Sequence, residues 1–300
     1  MSTQSRLNKV FKAAEQISFD DSSKIVLMSD CHRGDGNWGD NFLNNQNLFF
    51  GALDFYYRKD FTYIELGDGD ELWENRKIDR IINIHSDAFW LMSKFYKEGR
   101  LYMLYGNHDQ VKKEKDFAGN NLKSYYVESI KKRVALFPNI KIHEALVLNY
   151  NNSDNQIFLT HGHQADFLNY DLWKLSRFLV RYLWRPLELT GVRDPTSAAE
   201  NYTKKEKVEK KLTEWTKKQK HMLIAGHTHR PMFPQPGESL YFNDGSCVHP
   251  RCITAIEIEN GTITLVKWTV KTRKDRSLYV DKVILEGPVK LQDYFGAIAK

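Results

Sequence analysis

The chain has 300 residues, 44 Lys and Arg against 38 Asp and Glu for a net charge of +6, and is 41% hydrophobic and 27% charged. This balance excludes an intrinsically disordered chain, which would be poorer in apolar residues and more strongly charged. The length suffices to bury about three quarters of the unfolded surface, and no stretch approaches the roughly 20 unbroken apolar residues of a membrane span. Met1 to Gln16 is polar with scattered Lys and lacks the apolar centre of a signal peptide. The three cysteines, Cys31, Cys247 and Cys252, form no disulfide framework. A reducing, cytoplasmic location is the expectation. Cys247 and Cys252 would need two further ligands to hold a metal, and no second Cys pair exists, so small buried thiols are expected.

Five short apolar runs read as buried strands: Ile25–Met28, Tyr63–Leu66, Leu101–Tyr105, Ile157–Thr160 and Met222–Ala225. Helical spacing over Phe42–Tyr57 and Ile78–Tyr96 separates the first three. Strands alternating with helices predict a layered α/β fold. Residues 166–220 interrupt this rhythm. Leu172–Trp184 has helical spacing, with Lys174, Arg177, Arg181 and Arg185 on one stripe of an otherwise apolar segment. A second helix is predicted after Pro195, with Ser197 and Glu200 as a capping box and Val208, Leu212 and Trp215 at i, i+4, i+7. The pair reads as a helical insertion or cap; two ordinary surface helices are the alternative. This stretch holds 13 Lys and Arg against 8 Asp and Glu, nearly all of the basic excess. Any anion-attracting surface is expected there. Cys252–Glu259 and Thr262–Val270 read as a hairpin (252–270) turning at Asn260-Gly261.

Each of the five strands runs into metal-ligand residue types: Asp30-Cys31-His32, Gly67-Asp68-Gly69-Asp70-Glu71, Gly106-Asn107-His108-Asp109, His161-Gly162-His163 and Gly226-His227-Thr228-His229. Ligand sites in α/β sheets lie beyond the carboxyl ends of strands, so five such ends imply one shared site. In extended chain, residues i and i+2 point the same way, which would let Asp30 and His32, or His227 and His229, reach one cluster. Gly before Asp68, Asn107 and His227 would permit a sharp turn and a close approach.

Together these motifs resemble the full set of the calcineurin-like metallophosphoesterases, over about residues 24–229 of a single domain spanning 1–300. The resemblance implies two facing mixed β-sheets flanked by helices, a four-layer α/β/β/α sandwich with a two-metal centre. It implies that Asp30, His32 and His229 hold one ion, that Asn107, His161 and His227 hold the other, and that Asp68 bridges both. It makes His108 the acid or charge stabiliser beside the scissile phosphate, oriented by Asp109. Paired ions can activate a bridging hydroxide for in-line attack on phosphorus, with His108 assisting the leaving group. Imidazole, amide and carboxylate ligands suit Mn²⁺, with Fe or Zn²⁺ as alternatives. Asp70 and Glu71 are expected as partners of metal-bound His rather than as ligands. Arg33, Asn37 and His163 are candidate substrate contacts, with plain loop residues as the alternative.

A finer likeness concerns substrate. Gly67-Asp68-x-x-Glu71-x-Trp73 and Gly226-His227-Thr228-His229-Arg230-Pro231 resemble the UDP-2,3-diacylglucosamine hydrolase branch, which cleaves a pyrophosphate bond on a lipid-bearing nucleotide sugar and carries a helical cap at the same place. That branch has Arg where this sequence has His108. The expected partner is a small phosphorylated substrate, nucleotide- or lipid-linked, with peripheral membrane contact through 172–185. The protein Ser/Thr phosphatase pattern Gly-Asp-x-x-Asp-Arg-Gly is missing. A nuclease using the Lys-rich stretch 204–220 is a rival, but Glu206 and Glu209 interrupt Lys204–Lys211, which reads as a solvated helix face. A non-catalytic scaffold should have lost ligands, and here the whole set is present.

Overall fold

The computed structural model describes residues 1–151, 153–184 and 202–298. In chain order the strands are β1 (Glu15–Phe19), β2 (Ile25–Met28), β3 (Thr62–Leu66) and β4 (Leu101–Leu104), then a small hairpin of β5 (Ser124–Val127) and β6 (Lys132–Ala135). There follow β7 (Ile142–His143), β8 (Ala145–Tyr150), β9 (Gln156–Thr160), β10 (Met222–Ala225), β11 (Tyr241–Asn243), β12 (Cys252–Glu259), β13 (Thr262–Thr272) and β14 (Leu278–Lys290). The helices are α1 (Thr3–Ala13), α2 (Gln46–Arg58), α3 (Ile78–Ile84), α4 (Ser86–Lys97), α5 (Phe117–Asn121), α6 (Phe167–Tyr170), α7 (Trp173–Leu179), α8 (Tyr202–Gln219) and α9 (Leu291–Ile298).

Two mixed sheets result. One has the order β14-β13-β12-β2-β3-β4-β7, the other β1-β8-β9-β10-β11. Alternation along each strand sorts side chains into layers. Leu27, Ile64 and Leu104 of the first sheet meet Leu148, Leu159 and Ile224 of the second in the central core. On the far face of the first sheet, Val26, Met28 and Met103 pack on Phe49, Ile81 and Phe89. On the far face of the second, Val147, Phe158 and Leu223 pack on Leu7 and Val10 of α1 and on Val208, Leu212 and Trp215 of α8. This is the expected α/β/β/α sandwich.

All five predicted strands form, three in one sheet and two in the other. The hairpin turns at Asn260 (φ 53°) and Gly261 (φ 67°), two left-handed residues in a row, as a two-residue turn of this kind requires. Three elements differ from expectation. The stretch 78–96 breaks into two helices at His85, whose Nε2 lies 2.9 Å from Asp40 Oδ2. The 172–184 helix widens into a π-helical turn over Val180–Trp184. The insertion also divides: α8 forms part of the sandwich's outer layer, whereas α6 and α7 leave Phe167, Leu168, Leu172, Leu175, Phe178 and Leu179 exposed. Arg185 and the capping box at Ser197 and Glu200 lie outside the described residues. Among the described residues no helix is long and apolar enough to cross a membrane.

Candidate metal centre

The carboxyl ends of β2, β3 and β4 in one sheet and of β9 and β10 in the other converge. The backbone reaches them by a route the sequence reading did not foresee. Asp30, His32, Asp68, His227 and His229 all have positive φ, at 51°, 48°, 49°, 69° and 53°. The pairs therefore do not project from extended chain as i and i+2. β2, β3 and β10 stop short of their motifs, and left-handed residues there redirect the side chains toward the junction of the sheets. Each such residue costs on the order of 1–2 kcal/mol, and such strain concentrates at functional sites. Cross-strand hydrogen bonds hold the turns: Asp30 N to Gly67 O at 3.1 Å and His32 N to Asp68 O at 2.9 Å. Close approach explains two of the glycines. A Cβ on Gly106 would lie 2.2 Å from Asp68 Oδ1, and one on Gly226 would lie 2.1 Å from Ser29 Oγ.

Among the described residues two deep donor clusters result, with a third group, His32, Glu71 and His108, at the rim. In the first, Asp30 Oδ1 lies 3.0 Å from His229 Nε2, and His32 Nε2 faces His229 Nε2 at 3.3 Å. In the second, Asp68 Oδ2 lies 3.1 Å from His161 Nε2, and the His161 and His227 rings are 5.1 Å apart. Asp68 Oδ2 is also 3.8 Å from His32 Nε2, so this carboxylate faces both clusters. Asn107 Oδ1 and His227 Nε2 are buried with no hydrogen-bond partner among the described residues, and Asp30 Oδ1 and His161 Nε2 are buried with only the neighbouring ligand-type groups in reach. Buried polar atoms are rarely left unpaired, and facing imidazole nitrogens beside carboxylate oxygens are what a divalent cation satisfies. The donor set fits such ions.

The supporting contacts fix which imidazole nitrogen faces the cluster. His161 Nδ1 is 2.9 Å from Leu66 O, and His32 Nδ1 is 3.0 Å from Glu71 Oε2, leaving both Nε2 atoms inward. Glu71 is thus the partner of a predicted ligand, as expected; Asp70 instead pairs with Arg33 and Lys112. Burial alone would raise the Asp30 carboxyl, but His229 and His161 hold it well below the usual carboxylate range. Burial would lower His161, yet Asp68 and Asp30 push it up to about 9.

His108 stands at the rim. Its Nδ1 lies 2.7 Å from Glu71 Oε2, its ring stacks on Trp73 at 4.3 Å, and its backbone N–H donates to Asp68 Oδ1 at 2.7 Å. Burial would lower its pKa, but Glu71 and Asp68 raise it. The carboxylate beside the imidazole is therefore Glu71, not the expected Asp109. Asp109 points the other way, accepting from Gly106 N at 2.7 Å and Lys112 Nζ at 2.6 Å, and so braces the turn that carries His108. Chain neighbours in a turn diverge, and the Asp68-x-x-Glu71-x-Trp73 spacing was the available clue. Glu71→Gln is expected to lower turnover about 10–100-fold, as loss of such a partner does, measurable in steady-state kinetics alongside ion content.

The three predicted substrate contacts fare differently. Arg33 is wholly buried: its Nη atoms pair with both Glu65 oxygens at 2.7 and 2.9 Å, and its Nε with Asp70 at 2.8 Å. No substrate reaches it, so this expectation is corrected. Arg33→Leu would leave buried Glu65 without its cation and Asp70 with Lys112 alone, an expected loss of about 3–5 kcal/mol of stability readable by urea denaturation. Asn37 accepts from Gly39 N and donates to Asp35, closing its own loop. His163 is fully buried between Tyr105 and Tyr170, and burial, with His161 and His227 nearby, depresses its pKa well below the ordinary value. Sequence reasoning missed Ser29, whose hydroxyl lies in hydrogen-bond reach of both Asp30 Oδ2 and Asp244 Oδ1, and Asp166, 3.9 Å from His227 Nε2. Cys31 and Cys247 are buried free thiols, and Cys252 is partly buried.

The family model described as calcineurin-like phosphoesterase matches residues 23–231. The chain belongs to that family. As a calcineurin-like phosphoesterase it carries the sandwich and the donor clusters of a divalent-metal-dependent phosphoester hydrolase. No curated protein matches it. Among solved structures, Vps29 from Chaetomium thermophilum is similar at 12% identity and a TM-score of 0.36, covering 90% of this chain and 100% of that one. The same protein complexed with RaPID-derived cyclic peptide RT-D3 is similar at 12% identity and 0.33, covering 89% and 99%. Likenesses this distant carry no weight for function.

Proposed function

We propose that this calcineurin-like phosphoesterase hydrolyses a phosphoester or pyrophosphate bond at a centre of two divalent ions. Asp30, His32 and His229 would hold one ion, Asn107, His161 and His227 the other, with Asp68 shared. The observation that carries this is the convergence of buried donor atoms on the Asp68 carboxylate, with Asn107 Oδ1 and His227 Nε2 left without a hydrogen-bond partner among the described residues. Bound ions would polarise phosphoryl oxygens and acidify a water molecule; Mn²⁺ suits the donors best, and Fe or Zn²⁺ also fit.

The chain's own residues complete the chemistry. Glu71 holds His108 by Nδ1 and favours the imidazolium, leaving Nε2 to give a proton to the departing oxygen. Trp73 backs the ring and limits its rotation. The Asp109–Lys112 pair keeps the Gly106–Asp109 turn rigid beneath it. The test is a panel on Mn²⁺-reconstituted protein: p-nitrophenyl phosphate, bis-p-nitrophenyl phosphate, a nucleotide pyrophosphate and UDP-2,3-diacylglucosamine. Chelator-sensitive turnover of at least one is expected. Two bound ions with no turnover of any substrate would favour a scaffold.

A lipid-linked substrate, with a UDP-2,3-diacylglucosamine hydrolase-like reaction, is a narrower second reading. It is favoured by the exposed Phe167, Leu172, Leu175 and Phe178 beside Lys174 and Arg177, a combination suited to acyl chains or an anionic bilayer surface. Release of uridine monophosphate from the diacylated substrate supports it; turnover of only water-soluble substrates removes it. The nuclease reading has only part of the α8 basic run to draw on, with Lys207, Lys210, Lys217 and Lys218 exposed. There Lys204 pairs with Asp166, Lys211 donates to Ala165 O, and Glu209 pairs with Arg230, so the basic run is partly spent on internal contacts.

A further inference from the structure

A cavity of about 330 Å³ lies between the segment after Glu71 and the end of the exposed helical stretch. Four cations line it: Arg76, Lys77, Arg80 and Arg181, with Tyr182. Two carboxylates, Asp35 and Glu74, share the wall, so among the described residues positive charge prevails by two. The wall is built. The Arg181 guanidinium donates to Trp73 O at 2.7 Å and Leu72 O at 2.8 Å, tying the π-helical turn to the segment beneath it. Arg76 donates to the Tyr182 hydroxyl at 2.7 Å. Lys77 and Arg80 are exposed and have no ion-pair partner among the described residues.

The cavity and the metal centre share one stretch of chain. Glu71 touches His32 and His108, and Trp73 stacks on His108, while Glu74 to Lys77 line the cavity. On the opposite wall, Asp35 follows His32 by three residues, as Glu74 follows Glu71. Arg181 in the cavity wall donates to Trp73 O at 2.7 Å and the Trp73 ring stacks on His108 at 4.3 Å, so one residue separates the cavity wall from the rim of the metal centre, within the span of a small molecule carrying two separated phosphates. A volume near 330 Å³ lies at the lower end of small-ligand sites, and guanidinium groups favour phosphate through charge-assisted, bidentate hydrogen bonds.

We infer that the substrate carries two phosphate groups, one reacting at the metal centre and the other held in this cavity by Lys77 and Arg80, with Arg76 and Arg181 framing it. This deepens the hydrolase reading and rests on it. It selects small compounds with two phosphates on separate positions of one skeleton over simple monoesters.

The test uses Mn²⁺-loaded full-length protein, p-nitrophenyl phosphate as reporter, and two competitive inhibitors, inorganic phosphate and fructose 1,6-bisphosphate. The inhibition constant for phosphate divided by that for the bisphosphate is expected to be at least about 10 in the wild type, the ratio that 1.4 kcal/mol of added binding produces. In Lys77→Ala/Arg80→Ala that ratio is expected to fall to about 1–2. A control that removes two exposed charges elsewhere, Lys97→Ala/Lys132→Ala, should keep the wild-type ratio. An unchanged ratio in Lys77→Ala/Arg80→Ala, an equal fall in the control, or no bisphosphate preference in the wild type would overturn the inference. Should the reporter not be turned over at all, the hydrolase reading fails separately. Calorimetric titration of fructose 1,6-bisphosphate into wild type and variant then decides the cavity: binding weakened at least tenfold in the variant supports it, and equal binding overturns it.

Discussion

Asp68→Asn is expected to lower bound Mn²⁺ from two ions per chain to fewer than one and to reduce turnover by about a thousandfold or more. The reasoning starts from position. Asp68 Oδ2 is 3.1 Å from His161 Nε2 and 3.8 Å from His32 Nε2, so one carboxylate serves both donor clusters. An amide has no charge and only one good acceptor oxygen. The charge stabilisation lost with the ions is several kcal/mol, and each 1.36 kcal/mol is tenfold in rate. Mass-spectrometric metal analysis of the reconstituted variant, read beside its circular dichroism, checks the outcome. Retention of one full ion would mean that Asp68 belongs to one cluster alone.

The second large effect is expected at His108. His108→Ala should reduce kcat about 10²–10⁴-fold, the range for a positioned general acid, while two ions remain bound. The side chain meets Glu71 and Trp73 rather than lying within either of the two main donor clusters. Together with Glu71→Gln the variants form an ordered series. Removing the imidazole should cost more than neutralising its partner, and neither should cost as much metal as Asp68→Asn. Loss of both ions from His108→Ala would place that side chain among the ligands and undo its assignment to the leaving group.

Much of this arrangement was legible because it is written in strand-sized units. Ile25–Met28 and Met222–Ala225 are short, wholly buried runs, so periodicity and flanking glycines sufficed to find them and to place Asp30, His32, His227 and His229 at their ends. β14 escaped notice because it is an edge strand with mostly exposed or half-buried residues and no clean alternation. Contacts far apart in sequence were also out of reach. Nothing local to Arg33 announces that Glu65 and Asp70 enclose it, and an Arg beside a ligand motif reads as a substrate contact until its burial is known. The same limit misassigned the partner of His108. Asp109 is its neighbour in the chain, whereas Glu71 reaches it across the fold. The left-handed conformations at Asp30 and His32 left no mark on composition, because the turns are imposed by cross-strand bonding around them.

The most direct measurement is anomalous diffraction at the Mn edge from crystals of Mn²⁺-reconstituted protein. Two peaks about 3.5–4 Å apart are predicted, one contacted by Asp30, His32 and His229, the other by Asn107, His161 and His227, with Asp68 reaching both. A single peak, no peak, or peaks away from these side chains would contradict the account.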